Sequence, residues 1–281
     1  MRGTLALLAM GAAIVASAVQ AQSTVEVVTR DDFSLIPLNP LRGDASPKAG
    51  VLWGDLRADV ATGALIQFAD GFASPPHIHN ITYRAVVLEG MVHNDDPDAE
   101  NLWMEPGSFW TQPAGETHIT SVGPGGGLAF LDIESGPYLV RPAQEAFDNG
   151  DRPINVEARN IVWLTAADLS WVEHDGAEAG PEVAFLWGQP ASGQRNGTFL
   201  RLPAGSGARL MTGTDALKAV LIKGSLTHEA GDLSPTETLS PGSYIGSEGE
   251  VSHALACTGT VPCLLYVSTT GSYRVAEARS D

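Results

Sequence analysis

Three histidines are spaced in a way that could form a metal site. His77 and His79 lie one residue apart in the segment PPHIH, and His118 follows a Pro-Ala-Gly turn. On a β-strand, residues i and i+2 point to the same side, so His77 and His79 present two imidazoles that one metal ion can bridge. His118 completes a set of three if its strand packs across the same cavity. Three neutral imidazoles that leave coordination positions open are typical of a reactive metal site rather than a closed structural one.

The residues around these histidines resemble the two sequence motifs of the cupin family. The matching positions are Gly71, His77, His79 and Gly90 for the first motif, and Gly107, Pro113, Gly115 and His118 for the second. Two positions depart from the family: Tyr83 stands where cupins have a glutamate ligand, and Val122 stands at the closing asparagine. The resemblance implies jelly-roll barrels with the metal inside. The ion is then held by the three histidines alone, or by the three histidines and a carboxylate from elsewhere as a fourth ligand. A pair of strand histidines without metal is the alternative.

The chain contains the same pattern twice. The segment VLWG at 51–54 recurs as FLWG at 185–188, and three glycines, Gly63, Gly71 and Gly90, recur 134 residues later. Such an internal repeat indicates two copies of one domain. The arrangement resembles a bicupin, so we expect an N-terminal cupin domain with the metal site at 22–150 and a degenerate C-terminal cupin domain at 151–281.

The second copy retains one of the three histidines. Met211 and Gly213 occupy the positions of His77 and His79, and only His253 remains of the set. A single imidazole holds a metal poorly, so we expect no metal in this half. His253 is then a histidine of the core or of a pocket.

Away from the motifs, short apolar or alternating segments are separated by Gly- and Pro-rich turns, a pattern that predicts an all-β chain. Trp53 and Trp187, at matching places of the two copies, are expected to pack between sheets or domains. Among the other histidines, His174 and His228 are expected to be solvated, and His93 is expected to begin a polar loop outside the ligand set.

The first 21 residues have the features of a secretory signal peptide. Arg2 precedes an almost entirely apolar segment from Leu5 to Val19, and small residues precede the expected cleavage after Ala21. A transmembrane anchor is the alternative, but the segment is short of the roughly 20 apolar residues that span a bilayer. We therefore expect a periplasmic or secreted protein that keeps no membrane segment after cleavage.

The charge balance of the chain excludes one class of binding partner. The chain has 16 Lys and Arg against 33 Asp and Glu, a formal net charge of −17. Nucleic-acid binding needs a basic surface, so it is excluded as a function.

Cys257 and Cys263 flank a short Thr-Gly-Thr-Val-Pro loop. In an exported chain such a pair can form a disulfide, and a metal-binding cysteine pair is the alternative.

The resemblance implies a divalent transition metal (iron, zinc, manganese, nickel or copper) and a small-molecule substrate, and it leaves a homodimer open. Three-histidine cupins include dioxygenases that cleave β-diketones, hydroxyacetophenones or thiols, which suggests an enzyme acting on a carbonyl- or enol-type compound. In that reading Tyr83 is the catalytic residue, as a hydrogen-bond donor or a proton-transfer group. A packed aromatic is the alternative for Tyr83.

Two other function classes stay open at this point. A redox-inert metal would suit a lyase, an isomerase or a hydrolase. A non-catalytic periplasmic protein that binds a small molecule or a metal is the third class. Fold and ligand set do not select among these reactions, because cupin sites serve all of them.

Overall fold

The computed structural model describes residues 23–174, 179–190, 193–213 and 216–277, which form short β-strands and short 3-10 segments joined by turns and loops. The 3-10 turns are Pro40–Ala45, Ala143–Glu145, Ala158–Asn160 and Gly231–Leu233. In the described ranges no helix has the length and apolar character needed to cross a membrane. The signal peptide predicted at 1–21 lies outside the described residues.

Twelve strands lie between residues 24 and 156. They are β1 (Thr24–Val28), β2 (Ile36–Pro37), β3 (Lys48–Trp53), β4 (Thr62–Phe68), β5 (His77–His79), β6 (Tyr83–Glu89), β7 (Val92–Asp95), β8 (Phe109–Gln112), β9 (Ile119–Val122), β10 (Gly127–Ile133), β11 (Val140–Pro142) and β12 (Ile154–Val156). A seven-stranded antiparallel sheet has the order β12-β8-β6-β10-β4-β3-β2, and two smaller pairs, β11-β5 and β7-β9, stand opposite it. An apolar core that includes Val92 of β7 and Ala129 of β10 fills the space between them.

Eleven strands follow in the second half of the chain. They are β13 (Val172–Glu173), β14 (Glu182–Trp187), β15 (Arg195–Leu202), β16 (Gly207–Thr212), β17 (Leu217–Lys223), β18 (Leu226–Glu229), β19 (Glu237–Leu239), β20 (Tyr244–Glu248), β21 (Ser252–Cys257), β22 (Cys263–Thr270) and β23 (Tyr273–Glu277). Two six-stranded sheets have the orders β1-β20-β17-β22-β15-β14 and β13-β23-β16-β21-β18-β19. A second apolar core lies between them. The expected all-β architecture of two jelly-roll halves is therefore confirmed, with sheets that are open rather than closed into barrels.

Strand β6 explains why the large sheet of the first half is apolar on both faces. Successive side chains of a strand point to opposite faces. Tyr83, Ala85 and Val87 enter the core of the first half, whereas Val86 and Leu88 enter a separate core shared with the second half. The shared core also contains Phe130 of the first half and Tyr266 of the second. The two halves are therefore packed sheet against sheet.

The first and the last of these twelve strands both pair across the expected domain boundary at residue 150. Strand β1 pairs with β20, so the first described strand belongs to a sheet of the second half. Strand β12 pairs with β8, so 154–156 extend the sheet of the first half. The division of domains at residue 150 stays a prediction, and this pairing shows that strands from both sides of it complete each other's sheets.

The two repeated tryptophans pack at the contact between the halves, as expected. The guanidinium of Arg84 lies 3.9 Å from the ring centre of Trp187, and the ammonium of Lys218 lies 5.1 Å from the ring centre of Trp53. Arg84 and Lys218 are themselves equivalent positions of the repeat. Each half therefore places a cation over the tryptophan of the other, a favourable contact of about 0.5–2 kcal/mol.

A buried polar network joins the halves beside these tryptophans. The Asp132 carboxylate is fully buried and accepts a hydrogen bond of 2.8 Å from the Arg195 guanidinium and another of 2.8 Å from the Tyr266 hydroxyl. The indole of Trp187 donates to the same hydroxyl at 2.9 Å. Buried charges need such partners, because an unpaired one loses its hydration without compensation. Asp132 thus links the first half to two strands of the second.

The predicted disulfide is confirmed. Cys257 at the end of β21 and Cys263 at the start of β22 are bonded, with their Cα atoms 5.7 Å apart. The two cysteines close the hairpin loop 258–262, and both are buried.

Candidate metal centre

The backbone of β5 determines where the three histidines meet. His77 and His118 lie opposite each other, because each backbone N–H donates to the other's carbonyl at 3.0 Å. His79 follows two residues along β5 and so points to the same side as His77. On its other edge β5 pairs with β11. The strand that carries the HxH segment is therefore held on both sides.

The three imidazoles form one compact cluster. Their possible ligand atoms all lie within 4.8 Å of one another, and all three residues are buried. The ring centres are separated by 4.2 Å for His77 and His118, 5.1 Å for His77 and His79, and 5.2 Å for His79 and His118. The structure thus brings together the residues that the spacing predicted, while their binding of a metal stays a prediction.

Each imidazole is oriented by a backbone carbonyl. The three contacts are His77 Nδ1 to the Pro75 oxygen (2.9 Å), His79 Nδ1 to the Leu139 oxygen (3.1 Å) and His118 Nδ1 to the Glu116 oxygen (3.3 Å). A carbonyl oxygen only accepts hydrogen bonds, so in these contacts Nδ1 carries the proton. The lone pair is then on Nε2 of every ring. This is the arrangement in which metal-binding histidines are held by groups outside the ligand set.

Burial keeps the cluster neutral. It lowers the pKa of His77, lowers the pKa of His79 well below 6.5, and lowers the pKa of His118 to about 3, with the neighbouring imidazoles adding to the last two. Nε2 of His118 is buried without a hydrogen-bond partner among the described residues. An unpartnered buried acceptor is costly, about 1–3 kcal/mol. A bound cation would use that lone pair, so the donor set fits a metal ion.

Gly115 connects the second motif to the first. Its backbone N–H donates to the His79 carbonyl at 2.8 Å, and its φ of 79° lies in the left-handed region. A Cβ at this position would lie 2.3 Å from the Phe147 carbonyl oxygen. Glycine is therefore required both by the backbone angle and by the close approach of the neighbouring chain.

Tyr83 lies beside the cluster, and its hydroxyl belongs to a small buried polar network. Its ring centre is 5.3 Å from that of His79, and its hydroxyl donates to the Asn94 Oδ1 at 3.4 Å. Asn94 in turn donates to Gln112 at 3.0 Å and accepts from Thr120 at 2.8 Å. Burial raises the pKa of Tyr83, so the hydroxyl keeps its proton. Its catalytic role stays a prediction.

Tyr138 is a site residue that the sequence motifs did not indicate. Its ring stacks on that of His79 with centres 4.4 Å apart, and its hydroxyl lies 3.2 Å from the His79 Nε2. Its backbone N–H donates to the Leu56 carbonyl at 2.8 Å, which fixes the loop between β10 and β11. Tyr138 lies outside both motifs. It also lies in no strand, so the alternation of inward and outward side chains could not indicate it either.

A cavity of about 440 Å³ opens beside the histidines. His77, His79, Tyr83 and Tyr138 line one part of it, and the remaining wall is largely apolar. No Asp or Glu is found among the described residues of the lining. Two imidazoles of the cluster and two phenols therefore face a space that can hold a small organic molecule, and the described lining provides no carboxylate as a fourth ligand.

The second half has a different arrangement at the matching place. His253 is fully buried there, its Nδ1 lies 2.9 Å from Nε2 of His228, and its Nε2 lies 3.0 Å from the Ser247 hydroxyl. The second half contains no candidate metal cluster in its described ranges. The expectation of a core histidine at His253 is confirmed. The expectation of a solvated His228 is wrong, because the alternation of β18 turns this side chain inward.

Two further histidine expectations need correction. His93 is buried in β7 rather than at the start of a polar loop, and its Nδ1 lies 3.2 Å from the Leu102 carbonyl. The strand extends to Asp95 because it pairs with β9. His174 is only partly exposed, and its Nδ1 lies 2.7 Å from the Glu277 carboxylate. His93 lies outside the cluster formed by His77, His79 and His118.

Comparison with known proteins gives the family but no activity. Residues 26–276 match the model of a domain of unknown function, DUF4437. The chain belongs to this family. No curated protein sequence matches the DUF4437 chain.

Solved structures give the fold. A protein from Nostoc punctiforme, described only provisionally as a dioxygenase, aligns with a TM-score of 0.64 at 12% identity, over 92% of this chain and 88% of the other. A Lactobacillus farciminis oxalate decarboxylase aligns at 0.57 with 10% identity, over 93% and 90%. A salicylate 1,2-dioxygenase from Pseudoaminobacter salicylatoxidans aligns at 0.51 with 13% identity, over 83% and 82%. These are cupin-fold proteins, so the cupin fold that the motifs led us to expect is confirmed for this DUF4437 chain.

Proposed function

We propose that this DUF4437 protein is a metal-dependent cupin enzyme that acts on a small carbonyl- or enol-type compound. The observation that carries the proposal is the set of three buried imidazoles whose Nδ1 atoms are all held by backbone carbonyls. His77, His79 and His118 would hold the ion through Nε2, and at His79 the ion would replace the hydrogen bond that the Tyr138 hydroxyl donates at 3.2 Å. A bound iron, zinc, manganese, nickel or copper ion supplies Lewis-acid activation of a substrate oxygen and, if it is redox-active, of dioxygen.

The chain's own residues have distinct tasks in this proposal. The apolar wall of the cavity excludes water from the substrate and orients it toward the histidines. Burial raises the pKa of Tyr83 and of Tyr138, so both hydroxyls are protonated donors. We assign Tyr83 the hydrogen bond to the reacting oxygen and the transfer of its proton; the hydroxyl donates to the Asn94 Oδ1 at 3.4 Å in the structure and would turn this proton to the substrate. Tyr138 packs on His79 and limits the space above it.

A dioxygenase and a redox-inert lyase, isomerase or hydrolase both fit these tasks. The dioxygenase and decarboxylase among the structural neighbours share only the fold with this chain. A binding protein without catalysis is the third candidate. The two buried phenols beside the imidazoles favour catalysis, because simple retention of an apolar ligand requires no proton donors.

We further propose that the protein works outside the cytoplasm, in the periplasm or as a secreted protein. The support is the disulfide between Cys257 and Cys263, a bond that persists in oxidising compartments. The small-molecule substrate is the partner that the cavity suggests.

Metal analysis of protein purified without added metal salts tests the proposal. We expect one transition-metal ion per chain. Iron together with oxygen uptake on β-diketones, hydroxyacetophenones or thiols would identify a dioxygenase, and zinc or nickel without oxygen uptake would identify the redox-inert class. Protein that stays metal-free after incubation with each of the five ions would contradict the proposal.

Tyr83→Phe tests the assigned proton donor. We expect unchanged metal content and a turnover lower by roughly 10²–10⁴-fold if the hydroxyl transfers a proton. Tyr273→Phe, which removes an equally buried hydroxyl from the second half, is the matched control and should leave turnover unchanged. Loss of the metal in Tyr83→Phe would show that the hydroxyl is a ligand. Unchanged turnover would show that Tyr83 only packs.

A further inference from the structure

Arg42 is the charged side chain in the described lining of the cavity, where the histidines are neutral. It lies in the 3-10 turn Pro40–Ala45, which covers one side of the opening. Its guanidinium lies 5.8 Å from the ring centre of Phe72, also a lining residue. Phe72 packs on Phe68 at 5.3 Å, and its carbonyl accepts from the Val122 N–H at 2.8 Å. The aromatic ring therefore gives the exposed guanidinium a fixed platform.

Within the part of the chain that the structure describes, no carboxylate pairs with Arg42. Every ion pair found among the described residues involves another cation, and the nearby Asp44 pairs with Lys48 at 3.8 Å. The chain as a whole carries a net charge of −17. An unpaired guanidinium at the opening of an apolar cavity in such an acidic protein is a local site of attraction for an anion. Its planar N–H groups match a carboxylate in bidentate geometry.

We propose that Arg42 binds a carboxylate of the substrate. The substrate class is then an organic acid with an apolar or aromatic body, whose carboxylate contacts Arg42 and whose carbonyl or enol oxygen faces the histidines. The placement of the carbonyl or enol oxygen at the histidines rests on the proposed function. The assignment of Arg42 adds a preference for substrates that carry a carboxylate. Arg42 is a binding residue here and takes no part in the chemical step.

Binding of matched acids and esters tests the assignment on the zinc-loaded protein. The probes are the monohydroxamates of succinic, adipic and suberic acid and their methyl esters, in which the hydroxamate binds the metal and only the far end changes. For the chain length that fits, we expect the acid to bind about tenfold tighter than its ester. Arg42→Gln should abolish this preference and leave the affinity for the ester unchanged. Arg42→Lys should retain part of it.

A second comparison separates this assignment from the metal proposal. Octanoate and octanamide carry no chelating group, and their binding is measured on metal-free protein. We expect octanoate to bind more tightly, with the preference lost in Arg42→Gln and reduced by salt. Arg209→Gln, the same charge change at an exposed position of the second half, should change neither comparison.

The outcomes are distinct. The assignment of Arg42 is overturned if each acid binds no more tightly than its methyl ester and octanoate no more tightly than octanamide. It is also overturned if the preference for the acid survives Arg42→Gln. Failure to load zinc together with a preserved preference for octanoate contradicts the metal proposal and supports the anion site.

Discussion

Replacing Asp132 by Asn should loosen the contact between the two halves. The change keeps the shape of the side chain and removes its charge. The Tyr266 hydroxyl can still donate to the amide oxygen, so the effect is confined to the pairing with Arg195, now 2.8 Å from the carboxylate. Arg195 then has no counterion beside a shared apolar core.

The size of the effect follows from the burial of the two partners. Breaking a fully buried ion pair costs about 3–5 kcal/mol. The Asp132 side chain is completely buried, but the Arg195 side chain is 34% exposed and can be partly hydrated. We therefore expect the lower end, a loss of about 3 kcal/mol in the free energy of unfolding.

Urea unfolding followed by tryptophan fluorescence measures this loss. Glu145→Gln is the control, because it breaks the Arg141–Glu145 pair, whose side chains are 47% and 50% exposed. Such an exposed pair contributes less than about 1 kcal/mol. A loss in Asp132→Asn no larger than that in Glu145→Gln would show that the buried Asp132–Arg195 pair does not stabilise the contact between the halves.

Two other predictions concern the second half. Burial lowers the pKa of His228 and of His253 to about 4, so the unfolded chain takes up protons near pH 6.5 before the folded chain does. The free energy of unfolding should therefore fall as the pH decreases from 6.5 toward 4, and His253→Gln should make this fall smaller; an equal slope in denaturant titrations would contradict it. Reduction of the Cys257–Cys263 bond should cost about 2 kcal/mol, since the loop is short. The mass of the unreduced chain should be two hydrogens below that of its thiol form, and unchanged unfolding after reduction would contradict the expected cost.

Much of the metal-site geometry could be predicted from spacing alone. The alternation of a β-strand places His77 and His79 on one side, and the glycines of the two motifs lie in turns where the backbone needs a positive φ, as at Gly115. These are local rules, and they need no knowledge of distant chain segments. The disulfide was predictable for the same reason, because its two cysteines flank one short loop.

The rest of the cavity depends on long-range packing. Tyr138 and Arg42 reach the site from loops that have neither a motif nor a periodic pattern. The inward orientation of His228 follows from the length of β18, which is set by pairing with β21. The pairing of β1 with β20 joins residues more than 200 positions apart, and no local signal specifies it.

The metal content of single histidine variants shows whether the cluster of the first half holds the ion. The proteins are the wild type, His77→Ala, His118→Ala and His253→Ala, purified in parallel and analysed by elemental mass spectrometry. We expect one ion per chain in the wild type and in His253→Ala, and none in His77→Ala or His118→Ala. Folded His77→Ala and His118→Ala proteins that retain a stoichiometric ion would contradict the assignment of the metal to the histidine cluster of the first half.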